Sequence, residues 1–83
     1  MTRIAKLYTS ALANPRGLTF REFERLLAAL GFAHQRTVGS HRHYIHPRVP
    51  AILTILPEGK AAKGYQVRRL LDMVDEFGLG FEE

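Results

Sequence analysis

Two hydrophobic periods meet at Gly31, and that junction commits the chain to a mixed fold. Before it, Phe20, Phe23, Leu27 and Leu30 recur at helical spacing, and Leu26 widens the stripe. Thr19-Phe20-Arg21-Glu22 reads as a capping box, in which hydroxyl and carboxylate each cover a free backbone N–H. Gly31 supplies the left-handed stop. After it the period is two. Phe32, His34, Arg36 and Val38 alternate with Ala33, Gln35 and Thr37, which predicts a half-buried strand.

Gly39-Ser40 is short enough for a tight hairpin, so residues 41–46 form the returning strand. Pro47-Arg48-Val49-Pro50 ends it. Residues 51–56 are nearly all apolar and read as a third strand, central or buried on both faces. Residues 57–64 read as a loop carrying Lys60 and Lys63. A helix over 65–77 follows, with Val67, Leu70, Leu71, Val74 and Phe77 as its stripe and Arg68 and Asp72 spaced to pair outside. Ahead of all this, Ile4, Leu7, Tyr8 and Ala11 predict a helix over 2–13, stopped by Asn14-Pro15-Arg16-Gly17. The order is α-α-β-β-β-α, an α+β class with helices on one face of an antiparallel sheet.

Eighty-three residues suffice for one core and one domain. Twelve Lys and Arg against eight Asp and Glu give a net charge of +4, which favours a polyanion or an acidic protein as partner. The absence of cysteine excludes disulfides and thiolate metal sites. No segment approaches the roughly 20 apolar residues of a membrane helix. The N-terminus lacks a signal-peptide core, so the expectation is an unprocessed, cytoplasmic chain.

Three of the four histidines fall in His41-Arg42-His43-Tyr44-Ile45-His46. Imidazole exchanges protons near neutral pH, and His41 follows the turn directly. Strand alternation puts His41, His43 and Ile45 on one face and Arg42, Tyr44 and His46 on the other. His41 and His43 have chelating spacing, but no third ligand stands beside them in sequence. Metal-free cleavage of RNA is the alternative chemistry. The 2′-hydroxyl is the nucleophile, imidazole moves protons, and cations hold phosphate. Arg36, Arg42, Arg48, Lys60 and Lys63 are the candidate phosphate contacts, and Tyr44 a candidate stacking ring. His34, mid-strand, reads as structural. The lysine loop lacks the order of a phosphate-binding P-loop.

Gly39-Ser40-His41, followed by Tyr44, His46 and Pro47, resembles the signature of the HicA toxin family. Phe20-Arg21-Glu22-Phe23 leading to Leu26-Leu27-Ala28-Ala29-Leu30-Gly31-Phe32 resembles that family's helix and its Gly-Phe exit. Lys63-Gly64-Tyr65-Gln66-Val67 is similar to a branch that carries an extra N-terminal helix and a Lys-Pro-Tyr-Gln-Val segment. The resemblance spans residues 14–77. It departs from that branch at Thr54-Ile55-Leu56, where relatives carry polar residues, and at Gly64, where they carry proline.

The resemblance implies a double-stranded-RNA-binding-like fold, a three-stranded antiparallel sheet packed against helices, forming one domain over 1–83. Within it, 19–78 would be the core and 2–13 an additional helix that covers the sheet or joins two copies. It implies the toxin of a type II toxin–antitoxin system, a metal-independent endoribonuclease that cleaves mRNA and arrests translation. His41 would be its general acid or base, and Gly39 and Ser40 the turn presenting it. No cofactor is implied; the implied partners are mRNA and a HicB-like antitoxin, with the chain as monomer or dimer. The competing readings are a non-catalytic double-stranded-RNA-binding module and a protein-interaction domain acting through its first helix.

Overall fold

The capping box closes as its residue types demand. Thr19 Oγ1 accepts from the Glu22 N–H at 3.1 Å, and the Thr19 N–H donates to Glu22 Oε1 at 2.9 Å. It opens helix α2, Phe20–Ala29, which buries Phe20, Phe23, Leu26 and Leu27. The computed structural model describes residues 3–81. In it α1 (Arg3–Ala13) and a 3-10 turn (Pro15–Gly17) precede α2, strands β1 (Ala33–Val38), β2 (His41–His46) and β3 (Val49–Ile55) follow, and α3 (Gly64–Phe77) comes last. The expected α+β order is what the chain adopts. Thr2, placed in the first helix from sequence, lies outside the described residues.

The three strands form one antiparallel sheet in the order β1-β2-β3, so β2 is central. The helices cover one face only. Tyr44, Val49, Leu53 and Ile55 enter the core from that face and meet Phe23, Leu27, Val67 and Leu70. These large side chains supply most of the burial, each contributing roughly 1.5–3 kcal/mol.

Two expectations about strands are corrected. The first strand is not half-buried: all six residues of β1 are exposed, because it is an edge beyond the reach of the helices. A register shift between His34 and Arg36 also breaks its alternation, so His34 pairs with Tyr44 while Arg36 pairs with His43 on the opposite face. His34 lies beside Tyr44, with ring centroids 5.3 Å apart, yet is exposed because β1 is an edge, and its ring bonds Thr37 Oγ1 at 2.7 Å. The third strand is the other edge rather than central or doubly buried. It starts at Val49 and alternates, with Leu53 and Ile55 inside and Ile52 51% exposed. Pro50 is tolerated there because it sits where the β2–β3 register shifts, free of a ladder bond it could not donate.

The lysine loop is itself structured. Pro57–Glu58 (β4) and Ala61–Ala62 (β5) make a miniature hairpin around Gly59, whose φ is 63°. It is tied to the start of α2, since the Phe20 N–H donates to the Lys60 carbonyl at 2.8 Å and the Ala62 N–H to the Leu18 carbonyl at 3.0 Å. In α3, Gln66 and Met73 join Val67 and Leu70 as the buried residues, while Leu71, Val74 and Phe77 are only partly covered. Gly78, at φ 62°, ends the helix. Arg68 and Asp72 do not approach within ion-pair distance. Helix α1 buries Ala11 and rests Ile4, Leu7 and Tyr8 on the core. It packs chiefly on α2 and the 3-10 turn rather than over the sheet.

His46 belongs to this framework. Its Nε2 donates to the Leu30 carbonyl at 3.0 Å, and its Nδ1 accepts from the Arg48 N–H at 3.0 Å. The two partners assign the neutral tautomer with the proton on Nε2. Its ring also packs on Phe32, with centroids 5.0 Å apart. His46→Ala is expected to cost about 1–3 kcal/mol, by leaving the half-buried carbonyl of Leu30 without its donor, and urea denaturation reads it as a lower midpoint.

Candidate functional site

Gly39 and Ser40 form a two-residue turn, with Val38 and His41 paired across its base. Gly39 has φ 61°, and a Cβ there would touch nothing. Glycine is required for backbone conformation rather than for space. The turn delivers His41 as the first residue of β2, exposed, with no hydrogen bond to its ring among the described residues.

His41 points to the sheet face that carries no helix. His43 lies two residues on, about 7 Å along the same face. Its Nδ1 meets Thr54 Oγ1 at 2.8 Å, so the β3 hydroxyl fixes the ring's orientation. Arg36 is directly opposite His43 on β1 and shares the face. Val38, Ile45 and Ile52 complete it, each more than a third exposed. Among the described residues, no group of three His, Cys, Asp or Glu side chains gathers here or elsewhere. The face therefore offers one free imidazole, one positioned imidazole and one guanidinium, on a ground of apolar and hydroxyl side chains.

The structure separates the other candidates from this cluster. Arg42 faces the helices. Its Nη1 donates to Glu24 Oε2 at 2.6 Å, and its guanidinium lies 5.2 Å from the centre of the Phe20 ring. Tyr44 cannot offer a stacking face, because it is only 6% exposed and its hydroxyl donates to the same Glu24 oxygen at 2.7 Å. Burial, with the Glu24 bond and charge behind it, pushes the Tyr44 phenol well above its usual value of 10.0. Arg48 sits past the far end of β2, a strand length of about 17 Å from His41, where its Nη1 donates to the Gly78 carbonyl. Lys60 and Lys63 belong to the small hairpin and the residue before α3.

That hairpin stands at the His41 end of the sheet. Arg42 pairs with Ile55, so the chain leaves β3 beside His41 and enters β4 directly. Buried Gln66 holds this exit: its Oε1 accepts the Leu56 N–H at 3.1 Å, and its Nε2 donates to the Tyr65 hydroxyl at 3.2 Å. Sequence reasoning missed Glu24, Thr54 and Gln66 as positioning groups. Glu24 is readable, for it lies four residues after Phe20 and three before Leu27, within the buried stripe. Thr54 and Gln66 carry no such mark.

No curated protein and no solved structure matches the chain. The family model described as the HicA toxin of bacterial toxin–antitoxin systems does, over residues 20–74. That segment holds α2, the whole sheet with its Gly39-Ser40-His41 turn, and most of α3. With well over half of the 83 residues matched, the chain belongs to the HicA toxin family.

Proposed function

We propose that this toxin is a metal-independent endoribonuclease that cleaves mRNA, with His41 as its general acid or base. The observation that carries the reading is the placement of His41. A turn that requires glycine presents it, exposed and without a side-chain bond among the described residues, on the bare face of the sheet. A histidine that serves the framework looks different, as His46 does with both ring nitrogens engaged. In the reaction a base takes the proton of the RNA 2′-hydroxyl, and the oxygen attacks the adjacent phosphorus. The bond to the 5′ oxygen breaks, and that oxygen receives a proton. His41 serves one of these transfers. His43, oriented by Thr54 on the same face, is the candidate for the other, and Arg36 for the charge on phosphorus. Tyr44 is excluded from the proton inventory, because its hydroxyl is buried and given to Glu24.

Residues 19–78 form the catalytic core in this reading, and α1 is an addition to it. Its site of action is the cytoplasm, where mRNA is translated. A HicB-like antitoxin restrains it, and the net charge of +4 suits an acidic partner. Incubating purified protein with a labelled mRNA, with and without EDTA, tests the chemistry. Cleavage undiminished by EDTA is the expected result. Loss of cleavage on adding EDTA would point instead to a metal held by His41 and His43. Binding without any cleavage would favour the non-catalytic RNA-binding module.

A further inference from the structure

A cavity of about 380 Å³ opens between the 3-10 turn, the small hairpin and the start of α3. Arg16, Lys63 and Arg68 line it, with Tyr65 and one carboxylate, Glu58. Among the described residues, none of the three cationic side chains has an ion pair or hydrogen bond, and Glu58 pairs with none of them. Three like charges around one hollow repel each other, and the single carboxylate in the lining offsets only part of that repulsion. An anion placed between them would reverse that sign.

The chain also makes room for this grouping. A Cβ on Gly64 would stand 2.7 Å from Arg16 Cγ, closer than side chains pack. Gly64 therefore lets the Arg16 stem lie against the helix and hold its guanidinium at the cavity. Tyr65 is 62% exposed, so its ring is free to stack on a base. Its hydroxyl is held by Gln66, which also fixes the end of β3 next to His41. The cavity and the His41 face are thus joined through one buried side chain. Arg16 lies outside the 20–74 segment that matches the family.

We propose that Arg16, Lys63 and Arg68 form a second phosphodiester subsite, which grips the RNA backbone to one side of the bond positioned at His41, with Tyr65 stacking on the attached base. This rests on RNA being the substrate. Its specific mark is Gly64, because one added methyl displaces Arg16 without changing the net charge.

The test uses the whole 83-residue chain carrying His41→Ala, expected to hold RNA without cutting it, and a fluorescein-labelled mRNA fragment followed by anisotropy over a salt series. Adding Gly64→Ala, or Arg16→Gln with Arg68→Gln, is expected to weaken binding about tenfold and to flatten the salt dependence by about 0.7 for each phosphate no longer neutralised. Arg3→Gln with Lys6→Gln removes the same charge from α1 and is expected to leave the slope in place. Thermal melting of each variant separates a weakened grip on RNA from a damaged fold. If the α1 pair weakens binding as much as the cavity pair, the affinity is diffuse and the subsite is refuted. Unchanged RNA affinity in the Gly64 and arginine variants refutes it equally, including the case where they instead lose an acidic protein partner. If the parent protein fails to cleave yet the cavity variants still lose binding, the subsite stands and the enzymatic reading falls.

Discussion

Replacing His41 by alanine is expected to lower the rate of RNA cleavage by about 10²–10⁴-fold, the range that a positioned acid–base group contributes. The same change is expected to leave stability within about 0.5 kcal/mol. Both halves follow from one placement, since His41 is exposed, has no side-chain bond among the described residues, and stands at the mouth of a turn whose conformation depends on Gly39. Single-turnover cleavage of a labelled mRNA, measured beside a urea melt of the same preparation, reads the two quantities. A variant that cleaves like the parent would end the assignment of His41. A variant that unfolds would show that the histidine supports the sheet. His43→Ala is the informative companion, because loss of its imidazole also frees the Thr54 hydroxyl and alters the pH profile if it serves the second proton transfer.

The largest structural effect is expected at Glu24. One of its oxygens accepts from both Arg42 Nη1 and the Tyr44 hydroxyl. Glu24→Ala removes the acceptor from a buried phenol and from a guanidinium pinned over Phe20, at an expected cost of about 2–3 kcal/mol. Partial solvation of the Arg42–Glu24 pair limits its own share, so the phenol dominates. For a domain of this size the melting temperature should fall by about 10–20 °C. Tyr44→Phe is the milder variant, expected to cost about 1 kcal/mol, because Arg42 still satisfies the carboxylate. The pair also predicts behaviour in alkali. The folded state holds the Tyr44 proton more tightly than the unfolded chain does. Its contribution is complete below the unfolded value near 10 and is lost as pH rises from there toward the higher folded value. Stability measured between pH 9 and pH 12 should decline more steeply in the parent than in Tyr44→Phe, and equal slopes would remove Tyr44 as the cause.

The features legible in the sequence are those set by local chemistry. The capping box at Thr19, the stop at Gly31 and the turn at Gly39 each need particular residue types in consecutive positions, and each stands where those residues predict it. The alternation of β2 is legible too, because a central strand with one covered face obeys the period of two without interruption. Its neighbours escape for different reasons. Nothing in Ala33-His34-Gln35-Arg36 marks the extra residue that turns Arg36 toward His43. The apolar run Ala51-Ile52-Leu53 reads as buried on both sides, yet Ile52 lies on the uncovered face of an edge. The site divides in the same manner. His41 can be found because its turn adjoins it. The hollow around Arg16, Lys63 and Arg68 cannot, since its walls come from three separated segments and close only in the folded chain.

The sheet with one bare face has a consequence for how such a toxin fails. The side chains that hold the protein together enter from the helical side, through Tyr44, Leu53 and Ile55. The histidine proposed for the chemistry stands on the other side and supports none of them. Disarming and unfolding are therefore separate mutational events. On the proposed reading, a copy that has lost His41 persists as a folded, harmless double of the toxin. It keeps every other surface the antitoxin could grip, and so competes for the antitoxin and leaves more of the intact toxin unrestrained.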